Sequence, residues 1–410
     1  MTQALVHARS IVSKLVRAGF TAYFAGGWVR DYIMNHPSED IDIATDATAA
    51  QIMDLFPHTL LVGLAFGVVI VVISEHQFEV ATFRKDLPYL DGRHPQGIEQ
   101  STPREDALRR DFTINGMFYD PLEEKIYDYV DGQQDIERGV IRAIGDPNQR
   151  FFEDRLRMLR AFRFAARFGF AIDLATQEAI VENANLLLPS VAMERIWQEF
   201  EKMANFIRFD QALIDMHRLR LLAVIFPELQ HLHLHDLQTK ISAFKHFPSN
   251  CPTILYIMQM FIDFPIPTKL AIAKRLKVSN NDIKLLEWVE RLRKVLLKAN
   301  NEPFEWAVIF AHKDVWLGLY VIAALAPDIK RLQIIEDAQA RYEKLKVHVE
   351  RLQKNQPLVT SGLLHQCGIS SGKQMGLLLK EAQRISVNAD WHSAEQVIAK
   401  LMTNPLWQQQ

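Results

Sequence analysis

Cysteine is nearly absent. Two residues in 410, Cys251 and Cys367, cannot build a disulfide framework or a cysteine-based zinc site. No apolar run approaches the roughly 20 residues that a membrane-spanning helix needs. The stretch Met1–Phe20 is broken by His7, Arg9, Lys14 and Arg17, so it lacks the unbroken apolar centre of a signal peptide. Neither sign of charge dominates: 47 Lys and Arg stand against 49 Asp and Glu, for a net charge of −2. That excludes a uniformly basic surface but permits a local basic face, which is all that nucleic-acid binding requires. Low-complexity sequence is confined to the three-glutamine end. With 49% apolar and 23% charged residues, the composition also excludes a disordered chain, a collagen and a coiled-coil rod. What remains is a cytoplasmic globular protein of two to four domains, at roughly 150 residues per domain.

The patterning changes along the chain. Up to about residue 145 it reads as α+β: Ala4–Ala18 has helical spacing, Ala22–Phe24 reads as a strand, and Asp40–Thr45 alternates polar and apolar residues. Leu60–Ser74 is rich in β-branched residues, and Phe78–Arg84 alternates again. Past Arg150 the strand signals fade. Apolar residues then recur every three or four positions over Phe152–Phe168, Thr176–Leu188, Glu194–Phe206, Asp282–Leu297, Ile329–Gln353 and Gln374–Ile385. The expected architecture is a small mixed-sheet head followed by an all-helical remainder.

Gly26-Gly27-Trp28-Val29-Arg30-Asp31 follows the first strand. A glycine pair there lets backbone N–H groups approach a phosphate, and Arg30 can add a charge-assisted bond to it. Asp40-Ile41-Asp42 comes thirteen residues past Gly27. Residues i and i+2 of a strand share a face, so both carboxylates project from one face, flanked by Ile41 and Ile43, which point to the other. Two like charges so close call for a cation, and hard oxygen ligands suit Mg²⁺. Glu79, on the strand Phe78–Arg84, can supply a third carboxylate.

With these residues in view, the chain resembles the class II nucleotidyltransferases of the tRNA CCA-adding enzyme and bacterial poly(A) polymerase superfamily. Gly26–Asp31 and Asp40–Thr45 match the first motif of that superfamily, with Asp40 and Asp42 in the metal-ligand places. Arg109-Arg110-Asp111-Phe112-Thr113-Ile114-Asn115 matches the second, associated with sugar and phosphates. Asp135 through Gly139 to Arg142 fits the third, a hinge. Glu153-Asp154-Arg155-Leu156-Arg157 fits the base-recognition motif, and Glu194–Phe200 the last neck segment.

The resemblance implies a catalytic head (1–145), a helical neck with the base-recognition motif (146–210), a helical body (211–330) and a tRNA-binding tail (331–410). It implies two Mg²⁺ ions that activate a 3′-hydroxyl and stabilise departing pyrophosphate, with Asp40, Asp42 and Glu79 as the catalytic carboxylates. Gly26, Gly27, Arg30, Arg110, Asp111, Asn115, Glu153, Asp154, Arg157 and Arg160 are the expected nucleotide contacts. Arg163 and Arg167 continue the Arg157–Arg160 stripe down one helix and are expected at the RNA backbone.

Donor and acceptor chemistry gives the base-recognition motif its own reading. Asp154 and Arg157, three apart, sit side by side on a helix. The aspartate accepts from an exocyclic amine, and the arginine donates to a ring nitrogen or carbonyl. Cytosine and adenine satisfy both; uracil and guanine present the reverse order and leave buried groups unpaired, at about 1–3 kcal/mol each.

The function expected is template-independent addition of the 3′ CCA end of tRNA from CTP and ATP, with no membrane and no obligate protein partner. An A-adding enzyme and a poly(A) polymerase remain the neighbouring readings. Val62–Val68 lacks the basic Gly-Arg-Arg-Phe run of the poly(A) polymerases, and the loop Tyr89-Leu90-Asp91-Gly92-Arg93-His94-Pro95 speaks against a CC-only enzyme. A reading from another class, a metal phosphohydrolase, would use the His231, His233, His235 and Asp236 cluster.

Overall fold

The chain is described by a computed structural model covering residues 2–36, 38–60, 67–87, 96–298 and 300–408. The segment 62–66 and the loop Tyr89–Pro95, which bear on poly(A) and CC-only addition, fall outside the described residues. Among the described residues no single helix is long and apolar enough to cross a membrane; only the bent pair Pro303–Phe310 and Val315–Ala323, at 107°, reaches that length and apolarity together.

Among the described residues up to Tyr127, nine strands organise the chain: β1 (Ala22–Ala25), β2 (Asp42–Thr45), β3 (Thr59–Leu60), β4 (Val68–Ile73), β5 (His76–Thr82), β6 (Arg84–Asp86), β7 (Ile98–Gln100), β8 (Phe118–Asp120) and β9 (Lys125–Tyr127). Seven of them form one sheet in the order β3-β4-β5-β2-β1-β8-β9, while β6 and β7 pair with each other. In the large sheet β2 and β5 run parallel and the other neighbours antiparallel. In sequence, the β6–β7 pair stands on either side of the Tyr89–Pro95 segment.

Helix α1 (Gln3–Arg17) covers one face of this sheet. Thr2 caps it by accepting from the amide of Leu5, and Ala4, Ala8, Ile11, Val12 and Leu15 bury one stripe at helical spacing. The stripe packs on Phe24, Ile43, Val69 and Val80, with α3 (Ala49–Leu55) supplying Ile52 to the same core. Complete burial of side chains of this size contributes about 1.5–3 kcal/mol each. Alternation then sends Ala25 and Ala44 to the opposite face, into a second cluster with Phe83 and Phe118. Asp42 shares that second face. Strand β2 begins at Asp42, so Asp40 lies in the extended segment just before it.

Helices α2 (Gly27–Ile33), α4 (Pro103–Leu108) and α5 (Gly132–Arg138) complete the head. The helix expected over Phe152–Phe168 is two helices, α6 (Pro147–Glu153) and α7 (Leu156–Phe168). Asp154 breaks them: its backbone is extended (φ −145°, ψ 105°), and its Oδ1 accepts from the amide of Leu156 at 3.0 Å. A short polar side chain bonding its own backbone in this way competes with helix continuation. Gly169, at φ +71°, ends α7. α8 (Leu174–Asn183) and α9 (Met193–Ala204) follow, with α9 packed against α7.

Two compact units divide the chain, Met1–Leu237 and Gln238–Gln410. The second is helical. One apolar cluster gathers Leu292, Trp306, Phe310, Leu319 and Val349, and another Leu364, Leu378, Val397 and Leu401. The first accounts for the apolarity of the bent helix pair, which contributes Trp306, Phe310 and Leu319 to it.

Candidate active site

A cavity of about 620 Å³ in the first unit gathers residues from every motif that the sequence singles out around the nucleotide. At one end lies the turn between β1 and α2. Gly26 sits at φ +65°, and a Cβ there would stand 3.0 Å from Arg110 Nη1 and 3.8 Å from Asp42 Oδ2. Glycine thus provides both the left-handed backbone and the room for an arginine and a carboxylate to converge.

Asp40 and Asp42 line this end of the cavity. The Asp42 carboxyl is pushed up to about 6 by burial, then by the like charges of Asp40 and Glu79, against the pull of Arg110. Parallel pairing of Ile43 with Val80 sets Glu79 level with Asp42, although Glu79 is exposed and outside the cavity lining. Asp40 and Asp42, with only hard oxygen atoms to offer at one end of the cavity, suit a divalent cation; Glu79 does not close with them into a set of three ligand atoms within 4.8 Å.

Arg109 and Arg110 are both anchored by Asp106, which the sequence reading missed. Asp106 Oδ1 takes Nη2 of Arg109 at 2.7 Å and Oδ2 takes Nη2 of Arg110 at 2.9 Å. Burial alone would raise its carboxyl, but Arg110 and Arg109 hold it below the usual carboxylate range. The signal was legible: the spacings i, i+3 and i, i+4 from Asp106, running off the end of one short helix.

Asp111 accepts from Asn115 Nδ2 at 3.0 Å and from Nε and Nη2 of Arg160 at 2.8 and 2.6 Å. Burial would raise this carboxyl too, yet Arg160, Asn115 and Arg157 hold it far below the usual range. Arg30 is buried, donating to Asp31 and to Asn115 Oδ1.

The base-recognition residues are arranged differently from the expectation. Asp154 and Arg157 do not share a helix, because the chain breaks between α6 and α7. Arg157 Nη1 donates to Glu153 Oε2 at 2.8 Å and to the carbonyl of Arg150, and its Nη2 donates to the carbonyl of Arg109. Asp154 Oδ2 accepts instead from Arg195 of α9, at 3.2 Å. Asp154, Arg157, Arg160 and Arg195 all line the cavity, whereas Glu153 stands behind Arg157. Arg195 carries a buried Nη1 with no hydrogen-bond partner.

Of the two arginines expected at the RNA backbone, Arg163 is outside the cavity lining, its Nε 2.6 Å from Glu199 Oε2. Arg167 lines the cavity and donates to Asp31. Phe164 and Phe168 lie beneath this stripe, with Arg30, Arg160 and Arg163 at 4.3–5.5 Å from the Phe164 ring. The metal-cluster reading of His231, His233, His235 and Asp236 fails: no three of their ligand atoms come within 4.8 Å of one another. Among the described residues only His348, Asp390 and His392 do so, and there Arg351 Nη2 stands 3.1 Å from His392 Nδ1, which must therefore accept. Asp390 Oδ1 is already 2.9 Å from His348 Nε2, so a hydrogen bond accounts for this cluster without a metal.

The model for the poly A polymerase head domain matches residues 22–142, and one described as a probable RNA and SrmB-binding site of polymerase A matches 169–232. A CCA-adding enzyme of Lacticaseibacillus paracasei is 33% identical over 377 residues, covering 91% of this chain and 90% of that protein. The chain belongs to the CCA-adding enzyme family. These enzymes are metal-dependent nucleotidyltransferases, in accord with the carboxylates at the cavity's end. The CCA-adding enzyme of Pediococcus pentosaceus is 43% identical over 217 residues, an alignment that spans about half of each protein, 53% of this chain and 54% of that one. Among solved structures, the Bacillus stearothermophilus CCA-adding enzyme in complex with CTP superimposes with a TM-score of 0.78 at 27% identity, over 98% of both chains. Relatives of this family thus share both the motif-bearing head and the helical remainder.

Proposed function

We propose that this protein is a cytoplasmic enzyme that builds or repairs the 3′ CCA end of tRNA, using CTP and ATP and releasing pyrophosphate. One observation carries the reading: the glycine turn with Asp40 and Asp42 opens into the same cavity as Asp154 and Arg157. A nucleoside triphosphate laid along it places phosphates at the turn and base at the α6–α7 break. In this reading residues 1–145 are the catalytic head, 146–210 the neck, 211–330 the body and 331–410 the tRNA-binding tail.

Asp40 and Asp42 would hold two Mg²⁺ ions, with Glu79 as a third oxygen donor from the neighbouring strand. Bound there, the ions supply charge stabilisation for the attacking and departing oxygens. The rest is positioning by the chain. Gly26 and Gly27 admit the phosphates, and Arg30, Arg110 and Arg160 offset their charge. Asn115 and Asp111 hold the sugar end. Asp154 has lone pairs beyond those used by Arg195 and Leu156 and accepts from the exocyclic amine of C or A, while Arg157 donates to the ring. RNA reaches the cavity past Arg167.

Three tRNAs, ending before CCA, after C and after CC, test the proposal when incubated with single and mixed nucleotides and their ends sequenced. Two C additions and then one A are expected. Addition of A alone to the CC end would make this an A-adding enzyme, and long A tails a poly(A) polymerase.

A further inference from the structure

Arg160 and Arg167 of α7 are seven residues, and so about two helical turns, apart on one face. Both reach acids of the head: Arg160 reaches Asp111, and Arg167 Nη2 reaches Asp31 Oδ2 at 2.9 Å. The head joins those acids to each other. Asp31 Oδ1 accepts from Nε and Nη2 of Arg30 at 2.9 and 2.8 Å, Arg30 Nη1 donates to Asn115 Oδ1, and Asn115 Nδ2 donates to Asp111 Oδ1. Six side chains are thereby linked end to end, helix α7 closes them into a ring, and all six line the cavity. Phe164 and Phe168 back it: the Arg30 guanidinium is 5.5 and 4.6 Å from their ring centroids, and that of Arg167 is 4.8 Å from Phe168.

The ring sets both charge and geometry. Three guanidinium groups face two carboxylates, so one positive charge is left over toward the cavity. Asp31 and Asp111 are only 4% and 8% exposed, and both oxygens of each accept from arginine or asparagine. Neither carboxylate is left with an unpaired oxygen facing an anion. Asp31 is the pivot: one oxygen holds the Arg30 fork and the other is held by Arg167. The terminal torsion of an aspartate is broad, so removing Arg167 frees the carboxylate to turn and carries Arg30 with it.

Resting on the nucleotidyltransferase reading, we propose that Asp31 and Arg167 are positioning residues for the triphosphate. Together they fix Arg30 beside the glycine turn and lock α7 to that turn. The first turn of α7 carries Arg157, so the base end and the phosphate end of the nucleotide are held in one register by one helix. Arg167 acts here through Asp31 and Arg30, whereas the sequence placed it at the RNA backbone.

The test measures CTP and ATP binding with Mg²⁺ and without RNA, on the full chain and its Arg167→Met, Arg167→Lys, Asp31→Asn and Arg167→Met/Asp31→Asn variants. Steady-state KM values for nucleotide and for RNA are measured alongside. Arg167→Met should weaken nucleotide binding about ten- to a hundredfold and raise KM for nucleotide more than KM for RNA. Arg167→Lys, which can still pair with Asp31, should recover most of that loss. The double variant should lose less than the two single losses combined, since the residues act through one contact. Unchanged nucleotide binding in Arg167→Met with only KM for RNA raised would overturn the inference, as would strict additivity in the double variant. Failure of the underlying reading shows separately, in an unmodified protein that binds neither nucleotide at any Mg²⁺ concentration.

Discussion

Asp154 turns its carboxylate to Arg195, 3.2 Å away on α9, and not to Arg157 three positions along the chain. The acceptor of the proposed base-reading pair is therefore set by a helix that contributes no other residue to the cavity lining. Arg195→Ala should loosen Asp154 while leaving Arg157 in its bonds to Glu153 and the two carbonyls. Discrimination against UTP and GTP should fall about tenfold or more, with the metal carboxylates undisturbed. Competition among the four nucleotides reads this out; unchanged selectivity in a folded variant would reduce Arg195 to a packing residue.

Asp42→Ala should abolish nucleotide addition and spare RNA binding. Its carboxylate shares a sheet face with Glu79 and stands at the cavity's end, where the reacting oxygens would be held, while RNA affinity comes from basic and shape contacts elsewhere. Filter binding of tRNA beside a primer-extension assay separates the two. More than a few per cent of residual activity at saturating metal would contradict the proposed role.

Local features of the chain were readable because their causes are local. The alternation around Ile41 and Ile43 sent Asp42 to the face away from α1, and the glycine pair marked the end of β1. The helix break at Asp154 was not readable from apolar spacing, because Leu156, Leu159 and Phe162 continue a pattern begun before the break. Its cause is one side chain bonding its own backbone. Nor could spacing pair Arg167 with Asp31, 136 positions apart, or Arg195 with Asp154, 41 apart. Those contacts follow from how α7 and α9 dock on the head. A stripe of arginines reads in sequence as a solvated or RNA-facing surface, yet here Arg157, Arg160, Arg163 and Arg167 each meet an acid.

The Asp111–Arg160 pair carries a pH signature. Burial opposes ionisation of Asp111, but Arg160, Asn115 and Arg157 hold its folded-state pKa far below the unfolded value of about 3.9. A depressed carboxylate contributes stability that is fully present above the unfolded pKa and is lost as pH falls through the folded one. Asp111→Asn should therefore be less stable than the unmodified protein by about 3 kcal/mol at pH 7, with that gap steady down to about pH 5 and shrinking below pH 4. Urea melts at pH 7, 5, 4 and 3 measure it. A gap that stays constant to pH 3 would mean that Asp111 titrates normally in the fold.

Arg157 provides the sharpest test of the base-reading proposal, because its bonds separate two explanations. It is 9% exposed, holds Glu153 at 2.8 Å, and reaches across to the carbonyl of Arg109 beside the phosphate-end motif. In the proposed reading, Arg157→Ala removes the donors to N3 of cytosine and N1 of adenine. Glu153 keeps Arg150 at 3.0 Å as its partner, so no buried carboxylate is left alone and the neck should stay folded. Discrimination against UTP and GTP should then fall by about 1–3 kcal/mol, roughly ten- to a hundredfold, and correct incorporation should slow as the base loses its hold on the α-phosphate's position. Glu153→Gln is the control. It removes the same ion pair but leaves the guanidinium beside the cavity, still held by the carbonyls of Arg150 and Arg109. If Arg157 reads the base, Glu153→Gln retains most of the selectivity that Arg157→Ala loses. If the residue is only half of a salt bridge, both substitutions should cost stability alike and leave the preference for C and A intact.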